Sequence, residues 1–343
     1  MKPAEEWLLA LADPEGPRGP LPGCRLSVPE VASLCLLANR HGVLPAVVCQ
    51  IERLLRDEPA LLLADAKAVS EVSQTLGQVN KRLAQRTAMA MFLGAESQRL
   101  IGEFAAAGAE GIVLKGGDFA ARLYAHPALR TFGDIDLLVR LRDAQVVAAA
   151  MARLGYVTRE TRLKYAGGYS ERTWEHPEIT GAMVEVHDNL VNSPTVRRGV
   201  SVQLEHLPLE RGPDGRLRAT PAGLLIIAAV HGATSHAFEK VQHLCDIAQV
   251  VRGRAGPVDE RSLQECVGRT GAGLSLATAL DLTARSLNEP ACARLLERLG
   301  LRWPRRIVGL LMTPAVVVRS QGAHRRGVTW RRRMLRQMLK TRR

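Results

Sequence analysis

Aromatic side chains are scarce in this chain: Phe, Trp and Tyr together make up 4% of its 343 residues. The core must therefore rest on Leu, Ala and Val. Long apolar runs are also missing. The longest, around 224–230 and 307–318, fall well short of the roughly 20 residues that a spanning helix needs. Pro314 interrupts the second of them. Six cysteines are scattered with no CxxC pair, which argues against a disulfide framework or a cysteine zinc site and for reduced thiols in a cytosolic protein. The opening segment, MKPAEEWLLALADPEGP, carries two glutamates where a secretory signal needs a basic flank and a clean apolar stretch. A cytoplasmic location is the expectation.

What is present is ordinary for a globular chain: 46% hydrophobic and 24% charged residues in 37.4 kDa, enough for two or three packing units. The net charge of +13 is unevenly placed, because residues 320–343 hold nine Lys/Arg and no acid. On a helix, Trp330, Met334 and Met338 of that tail form one apolar stripe with arginines around it. The stripe either packs on the body or belongs to a basic docking element for an anionic partner, RNA or a membrane surface.

The chain divides into an N-terminal helical region (1–107), an α/β core (108–210), a C-terminal helical region (211–319) and the basic tail (320–343). A short helix around 5–11 precedes a Pro/Gly-rich loop. Ser27 with Glu30 three residues on has capping-box spacing, and two helices follow, divided near His41–Gly42. A long helix is predicted over 67–107. In the core, GIVLKGG reads as a strand ending in glycines, DFAARLYA as a helix with Asp118 as N-cap, and TFGDIDLLVR as a strand. AQVVAAAMARLGY reads as a helix, and residues 156–190 as a β-meander turning at Gly167–Gly168. From Pro221 the chain is helical again, with 221–253 read as one helical segment.

Within TFGDIDLLVR, strand alternation sends Asp134 and Asp136 to one face while Ile135 and Leu137 face the core. Paired carboxylates repel and lose solvation unless a cation sits between them, and Mg²⁺, a hard ion that shares its shell with phosphates, suits that place. Upstream, Lys115-Gly116-Gly117 ends a strand and opens a helix, where glycines let backbone N–H groups approach a phosphate. Downstream, MVEVHDNL supplies Glu185 on a second apolar strand, with His187 on its face. A third carboxylate completes a site able to hold metal and to accept a hydroxyl proton.

The block LKGGDFAARLYAHPALRTFGDIDLLV resembles the nucleotidyltransferase superfamily with the DNA-polymerase-β-type palm, and within it the family called uncharacterised nucleotidyltransferase. ANRHGVLPAVV near residue 40, LGY at 154–156, VEVH at 184–187 and HLCDIAQVV at 243–251 match as well, so the resemblance spans roughly residues 30–255. It implies an α+β fold, a small mixed-sheet nucleotidyltransferase palm flanked by N- and C-terminal helical regions. The 16 residues between Gly117 and Asp134 exceed the superfamily's usual spacing but are normal for this family, and the third acid is Glu185 where an aspartate is more usual.

The resemblance implies roles for single positions. Asp134 and Asp136 bind Mg²⁺ (or Mn²⁺), Glu185 completes the metal site or acts as base, and Gly116 and Gly117 cradle the β/γ-phosphates. The reaction is in-line attack of a hydroxyl on the α-phosphorus of an NTP, with pyrophosphate leaving. Lys115 and Arg130 flank the site and are placed to neutralise the triphosphate; for Lys115 the alternative is a surface charge, and for Arg130 an ion pair with Asp134 or a loop carbonyl. His187 reads as a partner to the metal ligands or a strand histidine. Trp174 and Tyr165 read as core aromatics rather than base-stacking ones, and Lys240 and Asp246 either line a cleft facing the palm or are buried helix polar groups. His231, His236 and His243, at spacings of five and seven in one helical segment, miss the i, i+4 pairing of helical metal ligands, so no zinc site is expected there.

Three readings of function follow. The first is a metal-dependent transferase acting on a small-molecule, peptide or protein hydroxyl. The second is a toxin-like enzyme adding nucleotides to tRNA, for which the basic tail speaks. The third is a nucleotide-binding module without turnover, against which the retained acidic cluster speaks.

Overall fold

The computed structural model describes residues 1–159, 168–179, 181–301, 309–319 and 325–341. Local chemistry sets the first elements, α1 (Pro3–Leu11), α2 (Val28–Arg40) and α3 (Leu44–Asp57). Ser27 starts α2: its N–H and its hydroxyl each donate to Glu30 Oε2 at 2.8 Å, which satisfies a donor that a helix start leaves open. Gly42, at φ 73°, makes the left-handed turn between α2 and α3. The one-turn α4 (Pro59–Leu62) leads into α5 (Val69–Ala106), 38 residues long.

The central sheet is built from β1 (Gly111–Val113), β2 (Ile135–Val139), β3 (Val157–Thr158), β4 (Glu171–Glu175) and β5 (Met183–His187), with α6 (Gly117–Leu123) after β1 and α7 (Ala144–Arg153) after β2. Its order is β1-β2-β5-β4-β3. Only the β2–β5 pair is parallel. The last three strands form the expected meander; Gly167 of its proposed turn lies outside the described residues.

A sheet residue's neighbours alternate sides, and here the two faces meet different partners. Ile135, Leu137, Val139, Trp174, Val184 and Val186 pack against Leu93, Leu100 and Phe104 of α5 and against Val147, Ala150 and Met151 of α7. Burying each of these larger side chains stabilises the fold by about 1.5–3 kcal/mol. On the opposite face Ile112, Leu114 and Leu138 join a second, larger core. That core runs from Trp7 of α1 through the C-terminal helices, so both helical regions share it. The fold is thus α+β, a mixed sheet flanked by helices from both ends of the chain.

Beyond the sheet, β6 (Leu209–Arg211) and β7 (Leu217–Ala219) form a hairpin around Gly212-Pro213-Asp214-Gly215, a turn sequence whose meaning is plain once the flanking strands are seen. The C-terminal helices are α8 (Pro221–Thr234), α9 (Val241–Val251), α10 (Glu260–Thr270), α11 (Gly273–Ser286), α12 (Pro290–Arg298), α13 (Pro314–Val318) and α14 (Arg325–Met338). Residues 221–253 are therefore not one helical segment. The chain breaks at Ser235–Lys240, where Ala237 and Phe238 take positive φ of 44° and 53°. Phe238 is fully buried, its ring against Gly232, where a Cβ would meet it at 2.7 Å. Burial of that ring outweighs the backbone strain.

The tail is helical, as its pattern implies, but packs through a different stripe. Leu335 and Leu339 are buried, whereas Trp330 and Met334 are exposed. Arg336 donates to the carbonyl of Ser235 and Arg332 approaches Glu239 at 3.8 Å, which ties α14 to the α8–α9 turn. All six cysteines are free thiols. Among the described residues, no helix is long and apolar enough to cross a membrane.

Candidate active site

The parallel register between β2 and β5 sets Asp136 directly beside Glu185 and Leu138 beside His187. Asp134 immediately precedes β2. On the far side of β5, the antiparallel register with β4 sets Glu171 beside His187. Three strands thus present carboxylates on one face. The three acids picked out in the sequence come together, and a fourth, Glu171, joins them. Its signal was the alternation of ERTWE, which puts Glu171 on the face opposite the core residue Trp174.

Lys115, just past β1, bridges the aspartate pair: its Nζ lies 2.8 Å from Asp136 Oδ2 and 3.8 Å from Asp134 Oδ2. It is no surface charge. His187, buried, sets Nε2 at 3.4 Å from Asp136 and 3.7 Å from Glu185, and Nδ1 at 3.9 Å from Glu171. Neither ring nitrogen makes a well-formed hydrogen bond among the described residues. Asn192 Nδ2 donates to Glu171.

Burial opposes charge on Asp136, yet the Lys115 ammonium and His187 hold its carboxyl well below the usual carboxylate range. Glu185 goes the other way. Burial and the negative charges of Asp136 and Glu171 push it up to about 8. Burial and Asp136 raise Glu171 as well, against the pull of His187. Two carboxyls side by side with opposite shifts divide naturally into a permanent anion and a proton acceptor. One donor atom from each of Asp136, Glu185 and His187 lies within 4.8 Å of the others. Carboxylates with one imidazole form an oxygen-dominated set that fits a divalent cation.

Lys115, Gly116, Arg130 and Asp134 line a cavity of about 550 Å³ that continues between the sheet and the helices α8 and α9. Gly116, at φ 56°, leaves no room for a side chain: a Cβ would lie 3.2 Å from the Phe132 ring. Gly117 has a packing reason of its own, since its Cβ would meet the Cα of Gly94 on α5 at 3.0 Å. Asp118 is not the N-cap of α6; Gly116 holds that position, and Asp118 sits in the first turn 3.3 Å from Arg122 Nη1.

Arg130 pairs with neither Asp134 nor solvent. It is buried, with Nε 2.7 Å and Nη2 2.9 Å from the two oxygens of Asp246 on α9, and Nη1 donates to the carbonyl of Gly116 at 3.3 Å. Tyr124 donates to Asp246 at 2.8 Å, and the guanidinium lies over the Phe119 ring at 5.2 Å. These contacts lock the glycine turn to α9. Lys240 and Asp246 both line the cavity. Trp174 is buried on the opposite, core face of the sheet; Tyr165 lies outside the described residues.

The structure brings together three histidines whose spacings of five and seven gave them no common face. His231 near the end of α8, His236 in the turn and His243 on α9 converge on the same cavity, because the chain reverses between the two helices. Burial holds His231 and His243 well below the usual histidine range, with nearby cations adding to the effect.

The uncharacterised nucleotidyltransferase family model matches residues 29–288, three-quarters of the chain, from α2 to the end of α11. The chain belongs to that family. The match takes in every site residue described above and extends beyond the sequence block that first pointed to it. No curated protein and no solved structure matches the chain. Family membership makes the acidic face and its cavity a candidate nucleotidyltransferase active site.

Proposed function

We propose that this protein transfers a nucleoside monophosphate from an NTP to a hydroxyl on a small molecule, peptide or protein, with Mg²⁺ or Mn²⁺ held by Asp134, Asp136 and Glu185. The observation that carries this reading is the alignment of Asp136 with Glu185 across parallel strands, with Lys115 standing between the two aspartates. An ammonium in that place occupies a position of strong negative potential, the kind a divalent ion seeks.

When bound, the ion supplies charge neutralisation of the phosphates and lowers the pKa of the acceptor hydroxyl. The chain's own groups do the rest. Lys115 and the Gly116 turn face the phosphates, and Arg130 fixes that turn against α9. Glu185, the third acid, completes the ion's shell or takes the hydroxyl proton. His187, within 4 Å of Asp136, Glu185 and Glu171, moderates the negative charge that they share. The acceptor oxygen forms a bond to the α-phosphorus as the α–β phosphoanhydride bond breaks, and the electron pair leaves on pyrophosphate.

Incubation with each α-labelled NTP, Mg²⁺ or Mn²⁺ and a cell extract, followed by separation of RNA, protein and small molecules, tests this. Label in the protein or small-molecule fraction that vanishes in Asp134→Ala/Asp136→Ala is the expected result. Label confined to RNA transfers the acceptor to tRNA-like substrates. Nucleotide binding without label in any fraction overturns the proposal in favour of a binding module.

A further inference from the structure

Three imidazoles meet where two helices reverse direction. The ring centroids of His231 and His236 lie 4.8 Å apart, those of His236 and His243 5.0 Å, and those of His231 and His243 5.8 Å. One nitrogen from each ring lies within 4.8 Å of the other two. Core packing does not call for this arrangement, because an apolar residue would fill the space without a polar atom to satisfy. Nδ1 of His243 is buried and has no hydrogen-bond partner among the described residues.

His236 shows how the cluster is held. A carboxylate oxygen of Glu239 accepts from its Nδ1 at 3.0 Å, which turns Nε2 into the ring's lone-pair nitrogen. A carboxylate behind the far nitrogen of an imidazole is the usual way proteins orient a histidine toward a metal. Arg332, from α14, lies 3.8 Å from the other oxygen of Glu239.

We propose that His231, His236 and His243 form a binding site for a nitrogen-preferring divalent transition metal such as Zn²⁺, distinct from the carboxylate site on the sheet. Three neutral nitrogens with no oxygen donor suit Zn²⁺, Co²⁺ or Ni²⁺ and are poor ligands for Mg²⁺. The nitrogens already lie within 4.8 Å of one another, and a shared Zn²⁺ would draw them in to bonds of about 2.0–2.1 Å. Three protein ligands leave a fourth coordination position. All three histidines line the cavity shared with Lys115 and Asp134, so an oxygen of a phosphate or an acceptor could take that position. The alternative, a cluster of imidazolium cations holding phosphate, is disfavoured by burial, which favours the neutral rings that a metal ion needs.

The inference stands apart from the transferase proposal, and its test does not use turnover. The full chain is stripped with chelator, dialysed against limiting Zn²⁺ in excess Mg²⁺, and its metal content measured. Co²⁺ titration of the same protein reports ligand type through its visible bands. About one equivalent of Zn²⁺, retained by Asp134→Ala/Asp136→Ala and weakened at least tenfold by His231→Gln and by His236→Gln, is the expected result. His236 is partly exposed, so His236→Gln preserves the fold, and circular dichroism verifies this for both variants. Three outcomes overturn the site: no stoichiometric Zn²⁺, Zn²⁺ that persists in folded histidine variants, or Zn²⁺ that follows the aspartates or the exposed Cys49 instead.

Discussion

Lys115 Nζ lies between Asp134 and Asp136, closer to the buried Asp136 by a full ångström. The ammonium offsets two carboxylates, one buried and one half-buried at the cavity. Lys115→Met leaves them facing each other without a counter-charge. Its melting temperature is expected to fall in chelator, by an amount corresponding to no more than about 3–5 kcal/mol, and to recover in millimolar Mg²⁺. A melting temperature that Mg²⁺ leaves unchanged would count against the carboxylate cation site.

Asp136→Asn and Glu185→Gln separate two roles. Asp136 is a permanent anion, and its loss is expected to lower the transferase rate about 10²–10³-fold at every pH, on the scale seen when one electrostatic group is removed. Glu185→Gln is expected to lower the rate by about 10²–10⁴-fold, the range for a lost general base. Burial and its acidic neighbours raise Glu185 to about 8 when no ion is bound, so Mg²⁺ binding should tighten as pH rises toward that value, and in Glu185→Gln this tightening should be absent. Rates of the three proteins, with Mg²⁺ titrations across pH, decide the assignment.

Arg130 and Asp246 are both buried and bonded through two parallel contacts. Removing one partner strands the other. Arg130→Met and Asp246→Asn are each expected to cost about 3–5 kcal/mol in urea unfolding, and the double variant less than the sum of the two. Additive losses would mean that the pair is not coupled.

His41 tests the fold's response to acid. Burial, partly offset by its contact with the Val318 carbonyl at 3.1 Å, lowers its pKa to about 4. The unfolded chain takes up this proton near pH 6.5 and the folded chain near 4. Stability is therefore lost as pH falls through that window. His41→Gln should flatten the decline between pH 6.5 and 4 relative to the parent, measured as urea midpoints. An unchanged slope would assign the acid sensitivity elsewhere.

Gly117→Ala probes the approach of α6 to α5. The added methyl meets a backbone atom of Gly94 at 3.0 Å, and backbone yields less than a side-chain tip. A cost of about 1–3 kcal/mol is expected in thermal or urea unfolding. A neutral outcome would show that α6 shifts freely.

The strands and most helices were legible because period-two and helical patterns are local. Asp134, Asp136, Glu185 and Lys115 were legible as a set because their flanking apolar residues fix which face each takes. Arg130 was harder: its partner Asp246 lies on α9, more than a hundred residues away, and no local pattern joins them. The histidine cluster was misread because a continuous helix gives spacings of five and seven no common face. Gly232-Ala233-Thr234-Ser235 carried a break signal, but the turn itself depends on burial of Phe238 in the core. Which stripe of the tail packs was not legible for a similar reason, since docking against α8 and the α8–α9 turn chose Leu335 and Leu339 over Trp330.

β5 follows β3 and β4 in the chain yet lies between β2 and β4 in the sheet. The central strand is thus the last of the five to be synthesised, and its parallel partner waits across the longest span. Such non-local pairing is slow to form. A growing chain cut short before Met183 has Asp134, Asp136 and Glu171 but lacks Glu185 and the strand that joins them, so the protein's reactive centre comes into being only when the sheet closes around its final strand.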